Sequence, residues 1–177
     1  MTPPPPVSPP DPPASSRPHA LSIVGLSNRG KTTLICGLLQ RLVRRGVKVA
    51  VLKHSHKTDL DPGDRGKDTW RYREAGALAV GLAAPGFLQV TKTGGGDPTL
   101  EEALAALGTG FDLILVEGYK SGPLPKIVVL GEDDPLPDYP EMVAVVCPRP
   151  LAAALPGFTP EEVEELARFV YARYAAP

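Results

Sequence analysis

An α/β fold with a mostly parallel central sheet is predicted by three observations. Short apolar runs suited to buried strands alternate with segments of helical spacing along the chain. The first of those runs leads directly into a glycine-rich turn that opens a helix. Two further runs, on either side of Pro85-Gly86, form an additional β-hairpin or ribbon.

The elements follow in order. The chain has 177 residues, and Met1–His19 holds nine of its 22 prolines. Proline fixes φ and removes amide donors, so residues 1–19 are expected as an extended, disordered tail. They match neither a signal peptide nor a transit peptide. Residues 20–177 then make one domain, long enough to fold unaided.

Ala20–Val24 reads as a short buried strand ending at Gly25. Lys31–Arg45 is a helix, with Leu34, Ile35, Leu38, Leu39, Leu42 and Val43 at helical spacing. Arg41, Arg44 and Arg45 suit the negative end of its dipole, and Gly46 stops it. Val47–Lys53 is a second strand. The polar stretch 54–67 is long for a connection, and such loops are functional or mobile.

Asp68–Gly76 is a helix with Asp68 as N-cap and a C-cap glycine. Leu78–Ala83 and Gly86–Thr91 are the strands of the ribbon. Thr99–Leu107 is helical, with Glu101 and Glu102 near its positive end. Phe111–Val116, Ile127–Leu130 and Met142–Val146 complete the strands. The last helix is Pro160–Tyr174, with Thr159 as N-cap and Pro160 at the first helical position. Cys36 and Cys147 are expected as reduced core residues of a cytoplasmic protein.

Charge narrows the function classes. A net charge of -1 argues against a nucleic-acid or anionic-membrane surface. No apolar run approaches the ~18 residues of a membrane-spanning helix.

The chemistry starts at Gly25-Leu26-Ser27-Asn28-Arg29-Gly30-Lys31-Thr32, which fits G-x-x-x-x-G-K-[ST]. A strand before it and a helix after it are the context the pattern requires, and they give a P-loop NTPase-like three-layer fold. The two glycines let the backbone approach an anion, and the amides of Ser27, Asn28 and Arg29 with the helix end hold its phosphates. Lys31 reaches the β- and γ-phosphates, Thr32 ligates Mg²⁺ and Thr33 supports the α-phosphate.

Magnesium also needs a carboxylate, and the strand Phe111–Val116 delivers Glu117 to the same sheet edge. Lys31 and Glu117 are the catalytic candidates. Asp61, with Asp59 beside it, is a second metal candidate from the loop after the second strand. Asp112 reads as a turn residue. His54 and His56 invite a zinc reading, but no cysteine or carboxylate set of suitable spacing accompanies them. Lys53 and His54 are instead expected as a basic lip near the phosphates. Trp70 is expected to pack, leaving Arg71 and Arg73 to face an anion or a partner.

The stretches "IVGLSNRGKTTL", "VAVLKHSH", "GKDTWRYREAGA" and "DLILVEGYKSGPLPKIVV" resemble the MobB family, the molybdopterin-guanine dinucleotide biosynthesis protein B group of P-loop GTPases. The resemblance implies a GTP-binding accessory protein with weak GTPase activity, using GTP and Mg²⁺. It implies a role beside the MobA-like guanylyltransferase that converts molybdopterin to molybdopterin guanine dinucleotide. Molybdopterin itself is a further candidate ligand. A homodimer is also implied, with Leu78–Thr91 as the candidate pairing ribbon. Gly25, Gly30, Lys31, Thr32 and Thr33 match the family's phosphate loop, and Glu117 and Gly118 match its second nucleotide motif. Lys53, His54 and Asp68 fall in other characteristic stretches.

Two departures stand out. No N/T-K-x-D stretch is present to read guanine, so base contacts are sought in "VVCPRP", Val145–Pro150. The proline-rich leader is an addition. Two other classes remain: a nucleotide-gated adaptor whose hydrolysis is incidental, and a small-molecule kinase, for which no arginine-rich lid is evident.

Overall fold

In a computed structural model, residues 19–58, 60–149 and 154–176 are described. Eight strands and four α-helices follow one another along them: β1 (His19–Val24), α1 (Lys31–Arg44), β2 (Val49–Lys53), α2 (Asp68–Glu74), β3 (Ala79–Ala84), β4 (Phe87–Lys92), α3 (Leu100–Leu107), β5 (Leu113–Glu117), β6 (Lys126–Val129), β7 (Met142–Val146), β8 (Gly157–Phe158) and α4 (Val163–Val170). A π-helical turn, Tyr171–Ala175, extends α4.

Six strands form one sheet in the order β2-β5-β1-β6-β7-β8, and every pairing in it is parallel. Strands β3 and β4 stand apart as an antiparallel ribbon. The α/β class, the parallel sheet and the extra ribbon expected from the sequence are all present.

Helical layers cover both sheet faces because neighbouring strand residues point to opposite sides. Leu113 and Leu115 of β5 join Leu21, Ile23, Ile127 and Val129 against Leu34, Leu38 and Leu42 of α1 and Leu166 and Val170 of α4. The intervening Ile114 and Val116 face the other way and pack with Leu100, Leu104 and Leu107 of α3. Each fully buried Leu, Ile or Val contributes about 1.5–3 kcal/mol relative to exposure, so these two layers hold the sheet edge rigidly. Helix α3 is closed by a capping box between Thr99 and Glu102.

Four local expectations are corrected. Asp68 is not the N-cap of α2; Lys67 is, and Asp68 is the first helical residue, where its charge still favours the positive helix end. The segment at Thr159-Pro160 forms a turn instead of a helix start. Glu162 donates its amide to Thr159 O at 3.1 Å, its carboxylate accepts from Thr159 N at 2.7 Å, and regular α-helix begins only at Val163. Cys36 is exposed, whereas Cys147 is buried and both are free thiols. Trp70 is only half-buried.

Candidate functional site

Strand β1 ends at the sheet's carboxyl edge, and Gly25 turns the chain there. Its φ is 150°, and a Cβ on it would stand 2.2 Å from the Val129 carbonyl oxygen of β6. No side chain fits. Gly30, at φ 77°, makes the second turn and caps α1. A Cβ there would meet nothing within 4 Å, so its requirement is conformational. Ser27, Asn28 and Arg29 lie exposed between the glycines, with Asn28 also left-handed at φ 59°.

Helix α1 has no side-chain cap and no acidic residue in its first turn. Its amides and dipole are thus open to an anion. Lys31 arches back so that Nζ donates to the Leu26 carbonyl at 2.7 Å, placing the ammonium across the loop. Thr32 and Thr33 are exposed on the same first turn.

Strand β5 lies between β2 and β1, and its last residue, Glu117, pairs in register with Lys53 on one side and Ile23 on the other. Glu117 accepts the Thr32 hydroxyl at 3.2 Å on Oε2, and Lys53 Nζ lies 3.3 Å from Oε1. Adjacent ligands of an Mg²⁺ octahedron with bonds of about 2.0–2.1 Å stand about 2.9 Å apart. The Thr32–Glu117 oxygen pair therefore fits two neighbouring positions around that ion. Gly118 follows at φ 114°, its amide bonded to Ile23 O at 3.2 Å and its carbonyl accepting the Ser22 hydroxyl at 3.0 Å.

The expected basic lip divides. Lys53 reaches Glu117, but the His54 ring turns to Asp97, with Nε2 2.8 Å from Oδ1. His54 keeps a backbone link to the end of β5, donating its amide to Glu117 O at 2.9 Å. Asp61 accepts the Gly63 amide at 2.8 Å within an exposed turn, and no described contact joins it to Thr32 or Glu117. Asp59 lies outside the described residues. Asp112 is the expected turn residue, accepting the Lys48 amide at 2.7 Å.

Arg73 is not turned toward an anionic ligand: it pairs with the buried Asp64 at 2.5 and 2.6 Å. Arg71 is exposed.

Two residues that sequence reasoning missed shape the site. Asp134, in the β6–β7 connection, holds Arg29 and also accepts the Gly131 amide at 2.7 Å. The Arg29 hydrogen bonds, with that amide, keep its carboxyl below the usual carboxylate range and raise the guanidinium in return. Lys126 is fully buried, and its ammonium donates to the carbonyls of Gly122 and Leu124 at 2.6 and 2.7 Å. Burial pushes its pKa down, yet these bonds clamp the loop after Glu117. Near the expected base contacts, Cys147 is buried with Sγ 3.8 Å from Gly131 O, and Arg149 donates to the carbonyls of Glu132 and Asp134.

Residues 20–148 match the family model of molybdopterin guanine dinucleotide synthesis protein B, MobB. The chain belongs to the MobB family. The molybdopterin-guanine dinucleotide biosynthesis adapter protein of Haemophilus influenzae is 40% identical over 131 residues, covering 71% of this chain and 72% of that one. The adapter protein of Escherichia coli is 32% identical over 158 residues, covering 85% and 90%. Among solved MobB structures, that of Bacillus subtilis superposes with a TM-score of 0.73 at 28% identity, covering 90% of this chain and 99% of that one. A MobB homologue from Bacillus stearothermophilus gives 0.68 at 26%, covering 88% and 97%. The family match spans the phosphate loop, the ribbon and β5 with Glu117.

Proposed function

We propose that this protein is a cytoplasmic GTP-binding adapter of molybdopterin guanine dinucleotide biosynthesis, with slow intrinsic GTPase activity, acting beside a MobA-like guanylyltransferase. The observation that carries the reading is the Thr32–Glu117 oxygen pair at 3.2 Å beside a phosphate loop already opened by Gly25 and Gly30. The curated relatives, named as biosynthesis adapter proteins, supply the pathway and the adapter role.

In this reading Thr32 and Glu117 hold Mg²⁺, which neutralises charge on the β- and γ-phosphates. The loop amides and the α1 dipole bind the phosphates, and Lys31 leaves the Leu26 carbonyl to pair with them. Lys53 keeps the Glu117 carboxylate oriented. Guanine preference rests on the family. Slow hydrolysis, on the order of 10⁻⁴–10⁻² s⁻¹, is what phosphate-loop switches show without a completing group, and in this structure Arg29 is taken up by Asp134.

Isothermal titration with GTP and ATP in magnesium buffer tests the assignment. GTP is expected to bind at least tenfold more tightly than ATP, and Lys31→Ala to weaken it at least tenfold with the fold intact. Preference for ATP, or unchanged affinity in Lys31→Ala, overturns it.

A second reading keeps the binding but makes hydrolysis incidental. It is favoured by the exposure of the phosphate loop around Leu26–Gly30 and tested with Glu117→Ala. Loss of hydrolysis with cofactor maturation intact in cells decides for it.

Homodimerisation through β3 and β4 belongs to the same proposal. Leu82, Phe87, Leu88 and Val90 are exposed on that ribbon, and an open groove of 480 Å³ runs between it and Tyr72 and Ala75 of α2 and its end. A second copy of the ribbon would cover both.

A further inference from the structure

We propose that His54, His56 and Asp97 form a binding site for a divalent transition metal of the zinc type, separate from the magnesium position at Thr32 and Glu117. The ligand atoms of the three side chains lie within 4.8 Å of one another. His54 Nε2 is 2.8 Å from Asp97 Oδ1, and His56 Nδ1 is 4.0 Å from Asp97 Oδ2. The two imidazoles stand perpendicular, their centroids 4.6 Å apart at 89°.

Zinc bonds of about 2.0–2.2 Å put tetrahedral ligand atoms about 3.3–3.6 Å from each other. Their present spacing is bounded by 4.8 Å, so gathering one atom from each around an ion closes gaps of at most about 1.5 Å. His56 supplies the freedom, since its side chain is 82% exposed, while that of His54 is only 10% exposed.

The site is built on supports outside the ligand set. The His54 ring lies on the Tyr119 ring at 4.3 Å and 31°. The Tyr119 hydroxyl donates to Pro98 O at 3.0 Å, which fixes the residue next to Asp97. Gly118 lets the His54 backbone approach; a Cβ there would lie 3.1 Å from His54 Cβ. Packing of this kind holds a ligand ring in one orientation before the ion arrives.

Donor chemistry selects the ion. Two imidazole nitrogens and one carboxylate oxygen suit Zn²⁺, Co²⁺ or Ni²⁺, whereas Mg²⁺ and Ca²⁺ take oxygen sets. Three protein ligands leave one position open, the pattern of sites that present a metal to water or to a second molecule. His-x-His alone could not reveal this, because the carboxylate comes from the Gly94-Gly95-Gly96-Asp97 turn, 43 residues after His54.

The test uses the full chain, stripped of metal by chelation and kept free of nucleotide. ZnCl₂ is titrated against it by competition with a chromophoric chelator, in excess MgCl₂ so that the oxygen-rich magnesium position does not contribute. One equivalent per chain is expected, with His56→Ala and Asp97→Ala each weakening it at least tenfold. Co²⁺ in place of zinc is expected to give a visible d–d band that both variants lose. Both positions are exposed, so the apo variants should melt with the wild type; should one fail to fold, the other carries the test. No zinc binding, or binding that either folded variant leaves unchanged, overturns the site and leaves His54–Asp97 as a hydrogen bond or the metal as adventitious. GTP affinity, read in parallel, is expected to be unchanged in His56→Ala, so failure here is distinct from failure of the nucleotide assignment.

Discussion

The guanidinium of Arg29 and the carboxylate of Asp134 meet fork to fork, Nε to Oδ2 at 2.7 Å and Nη2 to Oδ1 at 2.9 Å. Asp134 is itself fixed by the Gly131 amide, and the Arg29 side chain lies so close to Gly131 that a Cβ there would stand 2.9 Å from Nε. The pair ties the tip of the phosphate loop to the β6–β7 connection, 105 residues away. A loop held open in its binding shape loses less entropy when phosphate arrives.

Asp134→Ala is therefore expected to weaken magnesium-GTP affinity about three- to tenfold, the range for a partly exposed bidentate pair. Titration of a fluorescent GTP analogue checks it. Equal affinity in the variant and the wild type would show that the loop holds its shape without the pair.

The two loop glycines should respond differently to the same substitution. Gly25→Ala places a methyl 2.2 Å from a backbone oxygen that cannot move without distorting β6. It should cost about 3 kcal/mol or more. Gly30→Ala meets open space and pays only for left-handed backbone, about 1–2 kcal/mol. Urea unfolding midpoints of the two variants measure the gap, and equal losses would contradict the steric account.

Why one half of this site is legible in the sequence and the other is not follows from distance along the chain. Gly25, Gly30, Lys31 and Thr32 lie within one turn, so their spacing alone announces a phosphate loop. Glu117 was readable because a strongly apolar strand must end at the edge where β1 ends. Asp134, the last of three consecutive acids, and Asp97 were not, since each lies in a connection whose path only the folded sheet sets. Cys36 misled because the helical rule was applied to α1 as a whole: Ile35 is buried, and one residue on, about 100° around the helix, Cys36 faces solvent. The two-residue β8 is too short for any period to show. The turn at Thr159 satisfies the same donors as an N-cap would, which is why its sequence reads as a helix start.

Acid should expose the role of Asp64. Arg73 and then Thr69, by hydrogen bonding, hold its carboxyl well below the usual carboxylate range. The folded value lies under the unfolded one of about 3.9, so the contribution to stability is full above about pH 5. It is lost as pH falls through 4 toward the folded value. Asp64→Asn should therefore unfold at lower urea than the wild type at pH 7, with the difference shrinking below about pH 4. A difference that stays constant down to pH 3 would assign the effect to packing instead of charge.

The ribbon offers the last prediction. In the register Ala79↔Lys92, Gly81↔Val90 and Ala83↔Leu88, one face presents Ala79, Gly81, Ala83, Leu88 and Val90 with Lys92 at its end, because partners across an antiparallel pair share a side. Leu88 is 72% and Val90 57% exposed. Two strands alone are marginal in water, so this face gains most from a second copy of itself. Leu88→Asp sets a charge in the middle of that surface without touching the domain core. Sedimentation velocity is expected to show a dimer for the wild type and a monomer for the variant, with GTP affinity and thermal midpoint of the parallel-sheet domain preserved. A dimer that survives Leu88→Asp and Val90→Asp together would move the interface away from the ribbon.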